Sequence, residues 1–186
     1  MSARFAIHQT PIAGLAVLER RTMGDARGML ERLYCAEELS DLLGGVAAQV
    51  NRTVTAAAGT VRGMHFQHPP HAEDKVIACI RGEVFDVAVD LRRGSPTFLR
   101  WHGEVLSPGN RRSMLVPRGF AHGFQALADG SEMIYVHTAP FRADAEGGLD
   151  ALDPRLGIDW PLEVRERSAR DATHPPLDEA FGGLDP

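Results

Sequence analysis

Residues able to move protons or hold an anion gather in three short stretches of this 186-residue chain. The densest is Gly59 to Lys75 (GTVRGMHFQHPPHAEDK), with Arg62, His65, Gln67 and Lys75. A second, Val116 to Phe124 (VPRGFAHGF), sets His122 between two phenylalanines after a proline-containing turn. A third, Met133 to His137 (MIYVH), carries Tyr135 and His137. An imidazole titrates near neutrality and can take a proton. A phenol can return one, and Lys or Arg can stabilise a developing oxyanion. Each group alone has an ordinary structural explanation. A lone histidine is more often a satisfied structural residue, Tyr135 a half-buried ring with its hydroxyl bonded, and Asp86 and Asp90 a solvated strand face or turn contacts. The group of four types on neighbouring segments is harder to explain as structure alone, and it marks a functional pocket.

The elements that must position these groups are short strands. From Val46 to about Tyr135, Gly-, Pro- and Asn-containing turns recur at close intervals, the signature of an all-β sandwich, barrel or jelly roll. Alternation places Gly63, His65 and Gln67 on one face, with Arg62 opposite unless Gly63 bends the strand. It places Lys75, Ile77, Cys79 and Arg81 on one face, and Met133, Tyr135 and His137 on another. An inward Lys75 then requires an anionic partner. In Val84 to Leu91, alternation sets Phe85, Val87, Val89 and Leu91 against Asp86 and Asp90. Ala36 to Leu43 (AEELSDLL) reads as a short helix closed by Gly44-Gly45. The tail beyond Ala139 is rich in Asp, Pro and Gly and reads as coil, with one short helix near Leu162 to Arg167.

The length fits one domain over residues 1–186. A formal net charge of −5 gives a nucleic-acid partner no electrostatic support, though local Arg and Lys can still hold a small anion. Two cysteines, Cys35 and Cys79, make neither a disulfide framework nor a zinc motif. The opening residues lack the apolar run of a signal peptide, and no segment has the length of a membrane span. A cytoplasmic protein without a membrane partner is the expectation. No metal or other cofactor is expected either. His65-Phe66-Gln67 lacks the second imidazole of a His-x-His metal-binding pair, and the cationic Lys75 lies close by.

The run Arg62-Gly63-Met64-His65-Phe66-Gln67, then Lys75, then Arg81 to Arg92 (RGEVFDVAVDLR), resembles the dTDP-4-dehydrorhamnose 3,5-epimerases. So do Ser95-Pro96-Thr97-Phe98, Pro117 to Phe124, Asp153 to Pro161 (DPRLGIDWP) and the upstream Gly24-Asp25-Ala26-Arg27-Gly28. The resemblance spans nearly the whole chain, in order. It implies a cupin-type jelly roll, a double-stranded β-helix with short peripheral helices, and an epimerase of nucleotide-diphospho-4-keto-6-deoxysugars. The C4 ketone of such a sugar acidifies the protons at C3 and C5. A base on one face removes a proton to give an enolate, and an acid on the other face returns one.

The resemblance implies His65 as base, oriented by Asp171 from the tail, Lys75 as the cation on the enolate oxygen with Arg62 nearby, and Tyr135 as the opposite acid. It implies substrate contacts at Gln49, Asn51, Arg27, His122 and Glu146, with Arg27 supplied by the partner subunit of a homodimer. Several positions depart from the family pattern. Arg32 falls where a Glu that helps read the thymine is usual, and Arg170 replaces a Lys. Asp74 replaces a Gly, Phe141 a Tyr and Ala151 a Trp. The catalytic set matches while the recognition shell differs, which points to another nucleotide sugar or to inversion of only one carbon. Two other classes stay open. One is a metal-dependent cupin oxygenase or isomerase using His65, Glu73 and His122. The other is a non-catalytic sugar-nucleotide-binding cupin.

Overall fold

Turn-punctuated runs of β-branched and aromatic residues become thirteen strands in the computed structural model, which describes residues 4–185. In chain order they are β1 (Phe5–Gln9), β2 (Ala16–Arg20), β3 (Thr22–Asp25), β4 (Gly28–Glu31), β5 (Gln49–Thr55), β6 (Val61–Gln67) and β7 (Lys75–Arg81). Then follow β8 (Val84–Asp90), β9 (Trp101–Leu106), β10 (Arg112–Val116), β11 (Phe120–Ala126), β12 (Ser131–His137), β13 (Glu146–Gly148) and the short helix α1 (Ala169–Ala172). One sheet runs β1-β2-β10-β7-β12-β5 and a second runs β13-β6-β11-β8-β9. β3 and β4 form a separate hairpin. The strand pairs are antiparallel, and this is the cupin-type jelly roll.

The sheets close on each other through Ile77, Cys79, Met114, Met133 and Tyr135 from one and Val84, Ala88, Leu106, Phe120 and Phe124 from the other. Their outer faces are covered as well. The tail lays Leu149, Leu156, Leu177 and Leu184 over Val61, Val87, Val89 and Leu91. Leu39 and Leu43 cover Leu18, Val76, Leu115 and Val136 on the other side. Burying both faces of a strand removes the polar row that normally marks the solvent side.

That double cover corrects one sequence expectation. The alternation in β8 is as read, but Asp86 and Asp90 are not a solvated face: both are fully buried. The apolar row Val87 and Val89 packs outward beneath the tail, while Asp86 points between the sheets. Asp90 instead makes turn contacts, the other reading of the sequence, with Arg92, Ser95 and Thr97. Two helix expectations are also corrected. Residues 36–42 form successive turns, with Leu39 and Leu43 amides bonded back to Cys35 and Leu39, but no regular helix. Residues 162–167 are irregular, and the helix lies at Ala169–Ala172, where Ser168 caps it by accepting from the Asp171 amide at 3.0 Å.

Candidate active site

The sharpest local feature is where β6 meets β11. His122 pairs with His65 and Phe124 with Arg62, so Gly63 and Met64 together oppose Gly123, a β-bulge. Glycine is required there. Gly63 has φ +126°, and a Cβ would lie 2.6 Å from the Gly123 Cα. The bulge resolves the question left by alternation. Arg62 and His65, three residues apart, both line one cavity of about 680 Å³. Asn51, Lys75, His122, Tyr135, Glu146, Arg170 and Asp171 line it too.

His65 Nε2 lies 2.8 Å from Asp171 Oδ1. The Gly63 amide donates to Asp171 Oδ2 at 3.3 Å, and the Ser168 cap fixes the residue's backbone. Burial works against the Asp171 carboxylate, but its bond to His65 and the donors around it hold it below the usual range. Burial also lowers the His65 pKa, opposed by Asp171 and reinforced by the Arg170 charge. An ionised carboxylate at Nε2 fixes the proton there and leaves Nδ1 as the basic atom of the neutral ring. Arg170 Nη2 also sits 3.2 Å from Nε2, but a protonated Nε2 cannot accept from it, so that approach is a packing contact. Arg170 pairs with Glu146 at 2.6 Å and, more distantly, with Asp171 Oδ1 at 3.7 Å.

Across the cavity the six-stranded sheet contributes Lys75, Tyr135 and His137, with His137 opposite Lys75 in the register. The buried Lys75 ammonium has the partner its placement demands, Glu73 Oε1 at 3.1 Å. Glu73 also accepts from Gln67 at 2.7 Å. Burial, with the Asp86 charge adding to it, pushes the Tyr135 phenol well above its ordinary pKa, so it stays protonated. Its hydroxyl donates to the weak acceptor Met133 Sδ at 3.4 Å, with the Thr53 hydroxyl also beside it. The Tyr135 ring packs edge-on to His122 and stacks on His137. Burial and the Lys75 charge push the His137 pKa down to about 4, so its ring is neutral near pH 7. His122 Nε2 bonds Asp86 Oδ1 at 2.7 Å, and burial raises the Asp86 pKa against that contact.

Three sequence candidates lie outside this cavity. Arg27 is exposed on the β3–β4 hairpin and paired with Asp25. Arg32 pairs with Glu38. Gln49 accepts from the Phe141 amide at 2.9 Å, behind the cavity wall that Phe141 helps form. Among the described residues, His65, Glu73 and His122 are not gathered into a cluster with ligand atoms within 4.8 Å of one another; they pair instead with Asp171, Lys75 and Asp86. The departure at Asp74 has a local use. Its buried carboxylate accepts from the Gly44 and Arg118 amides and pairs with the Arg118 guanidinium, tying two loops together. Glu73 entered the sequence reading only as a candidate metal ligand; its place as the anion beside the inward Lys75, and that of Asp86 beside His122, were not assigned there.

Comparison with known proteins agrees with this geometry. The sequence profile of the dTDP-4-dehydrorhamnose 3,5-epimerase family matches residues 9–179. The dTDP-4-dehydrorhamnose 3,5-epimerase of Salmonella typhimurium is 39% identical over 175 residues, covering 93% of this chain and 96% of its own. The dTDP-6-deoxy-D-glucose-3,5-epimerase of Legionella pneumophila, solved with dTDP-4-keto-L-rhamnose, superposes with a TM-score of 0.89 at 35% identity, covering 97% of each chain. A 3′-monoepimerase of Streptomyces bikiniensis, solved with dTDP-quinovose, gives a TM-score of 0.84 at 31% identity, covering 91% of this chain and 86% of its own. With the family profile matching residues 9–179 and a relative 39% identical over 93% of it, this chain belongs to the dTDP-4-dehydrorhamnose 3,5-epimerase family.

Proposed function

We propose that the chain epimerises C3, C5 or both of a nucleotide-diphospho-4-keto-6-deoxysugar, through an enolate and as one domain over residues 1–186. The observation that carries this is the placement of His65, backed by Asp171, on one sheet and Tyr135 on the sheet facing it across one cavity. A sugar ring held between them presents one face to a base and the other to an acid. His65 Nδ1 takes the proton from C3 or C5. Lys75, with Arg62 beside it, stabilises the charge that develops on the C4 oxygen. The protonated Tyr135 returns a proton from the opposite side, which inverts the carbon. Glu73 holds Lys75 in place until the substrate oxygen competes for it.

Asn51, His122, Glu146 and Arg170 contact the sugar nucleotide. Arg27, on a hairpin that also exposes Met23, Met29 and Leu30, reaches the cavity of a partner subunit in a homodimer. The exposed Val50 and Val54 on edge strand β5 supply part of that interface. Gln49 and Arg32 belong to the nucleotide end. Arg32, held by Glu38, replaces an acidic reader of the base and favours a nucleotide other than dTDP. The enzyme works in the cytoplasm, where its free cysteines stay reduced, and its product enters a deoxysugar-containing polysaccharide such as an O-antigen.

The test is solvent-deuterium incorporation, followed by NMR, into 4-keto-6-deoxy sugars carried on dTDP, CDP and GDP. The expected result is deuterium at C3, C5 or both of at least one of them, in protein treated with chelator. No exchange with any of the three, or exchange lost on metal removal, contradicts the reading.

A further inference from the structure

We infer that His65, Asp171 and His174 form an inhibitory site for a divalent transition-metal cation, with Zn²⁺ as its best match. Ligand atoms of these three residues lie within 4.8 Å of one another. The tail builds the cluster. Asp171 in α1 and His174, just past the Thr173 cap that ends the helix, both bring a ligand atom to His65 on β6. Gly148, opposite His65 in the register of β13, makes the room, because a Cβ there would collide with the His174 ring. His174 Nε2 is buried and has no hydrogen-bond partner among the described residues. A buried ring nitrogen without a partner is costly, and a metal ion would satisfy it.

Two imidazoles and one carboxylate are a zinc donor set, and two of the three, His65 and Asp171, line the cavity. Tetrahedral zinc with bonds of about 2.0–2.1 Å sets its ligand atoms about 3.3–3.4 Å apart. The His65–Asp171 pair at 2.8 Å must open slightly and the widest pair must close, both by side-chain rotation. Arg170, 3.2 Å from His65 Nε2, opposes the cation. It is more than half exposed and can swing out with Glu146. Metal on Nε2 would displace the proton that Asp171 orients and leave Nδ1 too weakly basic to take a substrate proton. The site therefore inhibits rather than catalyses. Only this inhibitory consequence rests on the proposed epimerase chemistry.

The experiment titrates Zn²⁺ into chelator-stripped wild type, His174→Ala, Gly148→Ala and Cys35→Ser. Bound zinc is read by equilibrium dialysis and deuterium exchange is read in parallel. Wild type is expected to bind one zinc per chain and lose exchange as it fills. His174→Ala should keep its basal exchange and need at least about tenfold more zinc for both effects, since a lost ligand costs no less than a lost outer contact. Gly148→Ala, which displaces the ring while keeping the histidine, should weaken binding in the same direction. Cys35→Ser should match wild type. The site is overturned if wild type binds no zinc, if His174→Ala and Gly148→Ala both bind it as wild type does, or if Cys35→Ser abolishes the effect. Zinc binding by a wild type that exchanges no sugar would overturn the proposed function and leave the site standing.

Discussion

Replacing Asp171 by Asn tests the His65–Asp171 pair through the position of a single proton. In the wild type, Asp171 accepts on both oxygens, from the Gly63 amide at 3.3 Å and from His65 Nε2 at 2.8 Å. An asparagine there has one acceptor and one donor. The Gly63 amide can only donate, so it takes the carbonyl and turns the NH₂ toward His65. Arg170 Nη2, 3.2 Å from Nε2, is a second donor aimed at the same atom. Both donors favour an unprotonated Nε2, which moves the ring proton to Nδ1 and removes the basic lone pair from the substrate side. A catalytic histidine held in the wrong tautomer by this change loses about 10⁴-fold in rate. With two donors enforcing it, a loss of about 10³- to 10⁴-fold in deuterium exchange is expected.

The pH dependence carries a second sign. Burial lowers the His65 pKa and Asp171 raises it, so removing the carboxylate charge lowers it further. The acid limb of the pH–rate profile, where the base becomes protonated, should move to lower pH in the mutant. Exchange measured by mass spectrometry across pH 4 to 9, roughly, on folded protein reads both effects. Exchange within about tenfold of wild type, with an unmoved acid limb, would refute the dyad.

Tyr135→Phe should lower inversion by about a hundredfold or more while exchange with retention continues through His65, seen as deuterium content against product stereochemistry; equal losses in both count against Tyr135 as the opposite-face acid. His137 is neutral in the fold with a pKa near 4, so the unfolded chain binds its proton first as pH falls below the ordinary histidine value. Its contribution to stability is complete at neutral pH and is lost toward pH 4, so in His137→Gln the urea midpoint should fall less over that window. An unchanged slope removes the burial argument. Gly63→Ala forces a side chain into φ +126° against Gly123 and should destabilise the fold by at least about 1 to 3 kcal/mol by urea titration. A neutral effect would contradict the tight bulge.

Strand alternation was enough to bring Lys75, Tyr135 and His137 to one wall, because the β7–β12 register is unbroken from Met133 to His137 and its shift, between Glu132 and Met133, falls before them. It was enough for His65 but not for Arg62, since the bulge at Gly63 depends on the close approach of Gly123, a long-range contact. The faces of β8 were inverted for a similar reason. A strand covered on both sides loses its polar marker, and the two buried aspartates took the place of one. The turns around Leu39 carried a helical apolar pattern, yet docking of Leu39 and Leu43 onto the six-stranded sheet is met by turns alone. The tail helix was placed too early because its position is set by the Ser168 cap and by Asp171 reaching His65, a contact between residues 106 apart in the chain. The pairing of Asp171 with His65 was legible only through the family resemblance, and His174 had no signal at all.

The central claim is that a single base, His65, opens every centre the enzyme inverts. The direct measurement is deuterium uptake at C3 and at C5 of an accepted nucleotide sugar by His65→Asn, with folding checked by circular dichroism. Exchange is expected to vanish at each carbon that exchanges in the wild type. Exchange persisting at wild-type rate at either carbon in the folded variant would contradict the account.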